Sequence, residues 1–135
     1  MITVFVDSGG FFGSLDADDA HHAHARELFE RARREGWKLV TTNAVVYETH
    51  ALLTNRAKDP RAAVRFLDAI EAALCTVQRV GPDDDRAAVA ILRKHADKGY
   101  SYCDALSFVV MERDGIEHAI AFDGHFREYG RWTLL

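Results

Sequence analysis

Residues 2–10 read ITVFVDSGG, a partly β-branched apolar run that stops at an aspartate and a pair of glycines. The apolar part, residues 2–6, predicts a short buried strand, and Asp7 follows it directly. Four further runs of the same kind predict four more short strands: KLVTT (38–42), TVQRV (76–80), HAIAF (118–122) and WTLL (132–135). Predicted strands therefore recur along the whole chain.

Helical patterns fill the intervals between these strands. Two apolar helical faces have members three or four residues apart: Leu28, Phe29 and Ala32 on the first, and Ala63, Phe66, Leu67, Ile70 and Leu74 on the second. Asp59-Pro60 and Gly81-Pro82 predict helix starts, while Gly36 and Gly115 predict helix ends. Strands that alternate with helices indicate a parallel sheet with right-handed crossovers. We therefore expect residues 1–135 to form one domain, a three-layer α/β/α sandwich with a central, mostly parallel sheet.

Composition narrows the classes of protein to which the chain can belong. The 135 residues are 48% hydrophobic and 28% charged, which is typical of a globular domain and argues against disorder. We expect a cytoplasmic protein, because no apolar run is long enough to span a bilayer and the N-terminus lacks a secretory pattern. Cys75 and Cys103 lack metal-motif spacing and are expected to be free thiols. The net charge of −4 argues mildly against a nucleic-acid partner.

Four carboxylates are expected near one edge of the predicted sheet. Asp7 follows the first strand directly, and Asp123 follows the strand at 118–122. Asp104 opens the apolar helix before that strand, and Glu48 lies on the helix after the second strand. Ligand sites in such sheets form beyond the carboxyl ends of the strands, where the strand order reverses. Asp7, Glu48, Asp104 and Asp123 could therefore converge on one site.

Each acid also has a purely structural interpretation. Asp7 could cap the next helix, and Asp123 could begin a turn. Asp104 stands three residues after Ser101, which is the spacing of a capping box. Glu48 is harder to explain in this way, because a carboxylate among apolar neighbours costs several kcal/mol if it is buried without a partner.

Electrostatics favours a shared metal ion over four separate structural roles. Carboxylates that crowd together raise one another's pKa unless a cation lies between them, and no lysine or arginine stands beside these four in the sequence. Oxygen ligands favour Mg²⁺ or Mn²⁺ over zinc. Such an ion at an open sheet edge can activate water for phosphodiester hydrolysis.

Four segments resemble the PIN-domain ribonucleases and, among them, the VapC-type toxins of toxin–antitoxin pairs: VFVDSGGFFGSLDADDAHHAHA (4–25), LVTTNAVVYETHALL (39–53), SYCDALSFVVMERDGI (101–116) and AFDGHFREYG (121–130). The resemblance covers nearly the whole chain. It implies an Mg²⁺- or Mn²⁺-dependent endoribonuclease in which Asp7, Glu48, Asp104 and Asp123 bind the metal. It also implies structured RNA as the substrate, often transfer RNA, inhibition by a cognate antitoxin protein, and a homodimer.

Two positions depart from the pattern of that family. Cys103 stands where serine or threonine commonly precedes the third acid, and Ala121 stands where threonine commonly lies two residues before the last. A missing hydroxyl can loosen the groups that orient metal ligands. We expect an altered rate or metal preference and retained activity.

Histidines and basic residues offer further candidates. We interpret His21, His22 and His24 as a solvated helix face, because neighbouring histidines on a helix diverge and zinc needs converging ligands. For His125, contact with phosphate and stabilisation of a turn are both open. Thr42 and Asn43 are interpreted as helix caps.

Two arginine-rich groups receive different interpretations. The group at 31–34 is interpreted as a solvated face. The group at 56–65 continues from the helix that bears Glu48 and is the better candidate for gripping RNA phosphates: Arg56, Lys58, Arg61 and Arg65.

Two other functions remain open from the sequence. A phosphatase with an aspartyl nucleophile would also place an aspartate after its first strand, but Asp7 is followed by Ser-Gly-Gly without a second acid two positions on. A catalytically weak or inactive RNA- or partner-binding module would keep the acids only to hold a structural ion.

Overall fold

Five parallel strands form one sheet in the computed structural model, which describes residues 1–135. The strands are β1 (Thr3–Val6), β2 (Lys38–Thr42), β3 (Thr76–Gln78), β4 (His118–Ile120) and β5 (Thr133–Leu134), and their spatial order is β3-β2-β1-β4-β5. All four strand pairings are parallel, which confirms the predicted class of fold.

Helices connect the strands and flank the sheet. They are α1 (Ser8–Leu15), α2 (His22–Glu35), α3 (Asn43–Asn55), α4 (Pro60–Glu71), α5 (Pro82–Lys94), α6 (Tyr102–Arg113) and α7 (Gly124–Tyr129), with a 3₁₀ turn at Ala96–Lys98. The predicted starts at Pro60 and Pro82 are confirmed, as is the end at Gly36, which adopts a left-handed conformation with φ of 69°. None of these helices combines the length and the apolar character that crossing a membrane would require.

The central strand β1 positions the site. Val4, Phe5 and Val6 are fully buried, because β1 lies between β2 and β4. The strand order reverses at β1, since β2 and β3 lie on one side of it and β4 and β5 on the other. The crevice beyond the carboxyl ends of β1 and β4 is therefore the expected place for a ligand.

A close contact between α1 and β4 sets the height of α1 above the sheet. A Cβ atom on Gly10 would lie 2.9 Å from both the carbonyl oxygen and Cγ2 of Ile120. Only glycine fits at this position without a shift. The backbone N–H of Asp7 also donates to the carbonyl oxygen of Ile120, at 3.0 Å, which extends the pairing of β1 with β4.

Several element boundaries differ from the predictions. β3 ends at Gln78, because the backbone N–H of Val80 donates to Oδ1 of Asn43 (2.9 Å) and not to a neighbouring strand. Asn43 therefore ties down this loop and does not cap α3. The apolar face of α4 stops short of Leu74, since the chain turns at Ala73 with φ of 63° and leaves Leu74 exposed.

Candidate active site

Asp7 lies at the N-cap position of α1 but does not cap the helix through its side chain. The residue is 3% exposed, and its Oδ1 atom is buried without a hydrogen-bond partner. Burial raises the pKa of Asp7 well above its usual value, and the charges of Asp104 and Asp123 raise it further. A buried carboxylate oxygen without a partner is rare and marks a place where a ligand would fit.

Asp104 caps α6 and also contacts His125, a second residue of the candidate site. It is the third residue of α6, and its backbone N–H donates to Oγ of Ser101 (2.9 Å) while its Oδ2 accepts from the backbone N–H of Ser101 (3.0 Å). This is the predicted capping box. The same Oδ2 atom lies 2.8 Å from Nδ1 of His125, and no hydrogen bond reaches Oδ1. Asp104 is itself buried, with 6% of its surface exposed.

Asp123 caps the short helix α7. Its Oδ1 accepts from the backbone N–H of His125 at 2.9 Å, and its side chain is 48% exposed. Partial burial and the nearby charge of Asp104 raise the pKa of Asp123. The sequence predicted that Asp123 directly follows its strand. β4 instead ends at Ile120, so Asp123 lies three residues beyond it.

Glu48 reaches the site from α3. The N-terminus of α3 is held by Thr42, whose Oγ1 accepts from the backbone N–H of Val45 at 3.1 Å, as predicted. Glu48 is half-buried, and its charge contributes to the raised pKa of Asp7. Burial, followed by the charges of Glu48 and Asp7, raises the pKa of the Cys103 thiol, which lies close to Glu48. Cys103 thus touches the site at the position where the family pattern has a hydroxyl.

The structure brings all four predicted acids into one region. Each of the other three raises the pKa of Asp7 through its charge. None of the four pairs with a lysine or arginine. His125 was a candidate from the sequence, but its contact with Asp104 was not predicted, and the hydrogen bond to Asp104 raises the pKa of His125. No local pattern indicates this contact, because His125 on α7 and Asp104 on α6 are 21 residues apart along the chain.

A metal ion fits these residues. Asp104, Asp123 and His125 each place one ligand atom within 4.8 Å of the others. The buried Oδ1 of Asp7 and the unbonded Oδ1 of Asp104 add oxygens that no protein group satisfies. A donor set made mostly of carboxylate oxygens suits Mg²⁺ or Mn²⁺.

An open cavity of about 400 Å³ lies against Asp7 and Asp123. His21 and Arg56 also line it, whereas Lys58, Arg61 and Arg65 do not. In the other arginine group, Arg31 forms an exposed ion pair with Glu35 at 2.6 Å, in keeping with a solvated face.

The three neighbouring histidines contact two different groups of the protein. The Nδ1 of His22 lies 2.8 Å from the carbonyl oxygen of Gly13, while His21 and His24 pack on the ring of Phe122. This packing could not be predicted from the sequence, because Phe122 is about a hundred residues away along the chain.

Comparison with known proteins connects the fold and the site to a family. Residues 4–131 match the profile of the PIN domain. The 23S rRNA-specific endonuclease VapC20 of Mycobacterium tuberculosis (strain H37Rv) is 35% identical over 127 residues, which cover 94% of each chain. A VapC ribonuclease of Archaeoglobus fulgidus is 30% identical over 128 residues, which cover 93% of this chain and 80% of the relative.

Solved structures agree with the sequence matches. The crystal structure of Mycobacterium tuberculosis VapC20, described as a sarcin–ricin loop cleaving toxin, superposes with a TM-score of 0.84 at 36% identity over 94% of this chain and 95% of that one. VapBC2 from Rickettsia felis, bound to a DNA fragment from its promoter, superposes with a TM-score of 0.68 at 10% identity over 99% and 98% of the two chains, which supports the fold alone. The chain therefore belongs to the PIN-domain family and, within it, to the VapC ribonucleases.

Proposed function

We propose that this chain is a divalent-metal-dependent endoribonuclease and the toxin of a toxin–antitoxin pair. The observation that carries the proposal is the buried, unpartnered Oδ1 of Asp7 at the edge of the sheet, with three further acids around it. Such an arrangement is costly for a protein that only needs a stable fold. The nuclease activities named for the relatives at 30–35% identity support the same reaction class.

The proposed metal ligands are Asp7, Glu48, Asp104 and Asp123, acting directly or through water, with Mg²⁺ or Mn²⁺ as the ion. When bound, the ion would activate water for attack on a phosphodiester and stabilise the leaving oxygen. The residues of the chain hold the donors in place. The pairing of β1 with β4 fixes the backbone of Asp7, and the capping box fixes Asp104.

His125 is proposed to position Asp104. Nδ1 of its ring lies 2.8 Å from Oδ2 of Asp104, which leaves Oδ1 of Asp104 free to bind the metal. His125 also interacts edge-on with Tyr100, with ring centroids 5.2 Å apart, which restricts rotation of the imidazole. One of the four acids would accept the proton of the attacking water. We propose Asp123 for this step, because its half-exposed side chain can return the proton to solvent.

Ribosomal RNA is the first substrate to test. The relative at 35% identity is named as specific for 23S rRNA, and the protein in the similar crystal structure is described as a sarcin–ricin loop cleaving toxin. The resemblance noted from the sequence also named transfer RNA, which belongs in the same experiment. We further propose a cognate antitoxin as the inhibitor, a homodimeric assembly, a cytoplasmic location, and action of residues 1–135 as one domain.

The deciding experiment incubates purified protein with ribosomal RNA and with transfer RNA, in Mg²⁺, in Mn²⁺ and in EDTA, and maps any new RNA termini. We expect discrete cleavage with either metal and none in EDTA. The Asp104→Asn variant, shown to be folded by circular dichroism, controls for contaminating nuclease. Cleavage that persists in EDTA or in this variant would contradict the metal mechanism. RNA binding without scission would favour the inactive binding module.

A further inference from the structure

The cavity beside the acids has features that metal binding does not use. Its volume of about 400 Å³ lies within the usual range for ligand pockets, about 300–1,000 Å³. Asp7 and Asp123 form the wall nearest the site, and Gly9 leaves the wall behind them open, since an added Cβ would meet nothing closer than 4.0 Å. Any group held here would lie directly against the proposed metal ligands.

An aromatic surface forms another wall of this cavity. The ring of His21 is stacked on Phe122, with centroids 4.5 Å apart and an angle of 9° between the planes. Because His21 is exposed, the second face of its ring is open to a flat ligand. Aromatic and histidine rings stack unpaired nucleobases in this way.

The loop that carries His21 is anchored before any ligand binds. Oδ2 of Asp19 accepts from the backbone N–H of His21 at 3.0 Å, and Oδ1 of Asp16 accepts from the backbone N–H of Asp18 at 3.1 Å. The ring of His22 holds the carbonyl oxygen of Gly13 at 2.8 Å. The stacking ring is therefore presented with little remaining freedom, which lowers the entropic cost of binding.

Arg56 supplies the cavity with a cation. It is the only lysine or arginine in the lining, which also contains Asp7, Asp19 and Asp123. The guanidinium carbon of Arg56 lies 5.3 Å from the centroid of the Phe12 ring, and Arg56 forms no ion pair with any carboxylate. Its hydrogen-bond donors are thus available for a phosphate.

We propose that the cavity binds one unpaired nucleotide next to the scissile bond, with its phosphate on Arg56 and its base stacked on the open face of His21. The proposal rests on the ribonuclease function proposed above and adds how the substrate is held. It requires the RNA to be unstacked at this position, because a paired base could not present its face to the His21 ring.

Binding of single nucleotides tests this subsite without requiring cleavage. The four 5′-nucleoside monophosphates, the four nucleosides and inorganic phosphate are titrated into the Mg²⁺-loaded protein, and binding is followed by NMR. We expect His21→Ala to weaken the binding of nucleosides and monophosphates by about fivefold or more, which is the lower end of a base-stacking contribution. Arg56→Ala should weaken the binding of the monophosphates and of inorganic phosphate and leave the binding of the nucleosides unchanged.

Matched controls separate the subsite from general effects. His24→Ala removes a histidine that packs on the same Phe122 ring, at 5.4 Å, but does not line the cavity. Arg93→Ala removes one positive charge from the exposed surface of α5. Both should bind every probe like the wild type, and His21→Phe should restore affinity because any aromatic ring can stack a base. Absence of saturable nucleotide binding, or equal losses in the test and control variants, would overturn the proposal.

Measurements of RNA cleavage distinguish failure of this proposal from failure of the proposed function. If the chain cleaves RNA, His21→Ala and Arg56→Ala should raise KM more than they lower kcat, since they remove binding and not chemistry. Cleavage with unchanged KM in both variants would overturn the subsite and leave the nuclease function intact. Nucleotide binding of the expected pattern in a chain that cleaves no RNA would overturn the nuclease function instead.

Discussion

The side chain of Asp7 connects stability to the proposed function most directly. Its pKa is raised mainly by burial, so the folded protein binds this proton more tightly than the unfolded chain does. The stability that this proton confers is complete below the ordinary pKa of an aspartate and is lost as pH rises through the raised pKa. Without a divalent ion, the protein should therefore become less stable as pH rises through that range.

Asp7→Asn tests this consequence. At neutral pH in EDTA, we expect the variant to gain about 1 kcal/mol in unfolding free energy, or about 4 °C in Tm, because the buried charge is gone. RNA cleavage should be lost, and Mg²⁺ should raise the Tm of the wild type more than that of the variant. Thermal melts at several pH values measure both effects. Asp68→Asn, which changes an exposed acid on α4, is the control, and lower stability of Asp7→Asn at neutral pH would contradict the account.

Cys103→Ser examines the departure from the family pattern. The thiol of Cys103 lies close to Glu48, and a hydroxyl is a stronger hydrogen-bond donor than a thiol, so a serine at this position should donate to Glu48 and restrict its side chain. We expect the cleavage rate in Mg²⁺ to rise by up to about tenfold, with a smaller change in Mn²⁺. Cys75→Ser, which alters the other free thiol, should leave the dependence on metal unchanged. Identical metal titrations for Cys103→Ser and the wild type would show that the thiol has no influence on the site.

At the scale of elements, the placement of α1 over β4 depends on Gly10. Gly10→Ala should cost about 1–3 kcal/mol of unfolding free energy, because its Cβ would meet the backbone of Ile120 at 2.9 Å and α1 would have to shift. Gly9→Ala is the matched control on the same helix, and it should be neutral or stabilising by up to about 1 kcal/mol. Denaturant unfolding measures both. Equal stabilities of the two variants would disprove the close approach.

The elements also show how far the sequence could predict the fold. The starts of β2, β3 and β4 and the helix boundaries at Gly36, Pro60 and Pro82 followed from local chemistry, which acts within a few residues. The end of β3 did not, because it depends on the bond from Val80 to the distant Asn43. The turn at Ala73 is closed by local hydrogen bonds, but alanine is not a residue that marks a left-handed conformation in a sequence.

In the candidate site, too, some features could be predicted from the sequence and others could not. Acids at the ends of predicted strands could be assigned to one edge of the sheet from topology alone. The contact between His125 and Asp104 and the stack of His21 on Phe122 depend on side-chain orientations, which only tertiary packing determines.

At the scale of the whole molecule, the net negative charge depends strongly on the four acids of the candidate site. The chain has 21 acidic and 17 basic side chains, so four acids equal the whole excess. Divalent ions bound by Asp7, Glu48, Asp104 and Asp123 would offset much of the net charge that opposes an RNA partner. Once metal is bound, the net charge of the chain therefore no longer argues against an RNA partner.

RNA binding should consequently respond in opposite directions to two salts. In the wild-type chain, with binding read before appreciable cleavage has occurred, added KCl should weaken RNA binding through competition at phosphates. Low concentrations of MgCl₂ at constant ionic strength should strengthen it. Fluorescence anisotropy with a labelled RNA measures both responses. Weakening by both salts in the same proportion would show that metal does not neutralise the site.

Three of the acids stand at the starts of helices. Asp123 caps the short helix α7, and two longer helices begin at the other acids, with Asp7 at the N-cap of α1 and Asp104 at the third residue of α6. The peptide dipoles of both helices therefore direct their positive ends toward the acids and toward any phosphate that approaches them. Part of the neutralising charge is built into the backbone itself. Chelation can remove an ion from this edge of the sheet, but the favourable field of the two helices remains as long as the chain is folded.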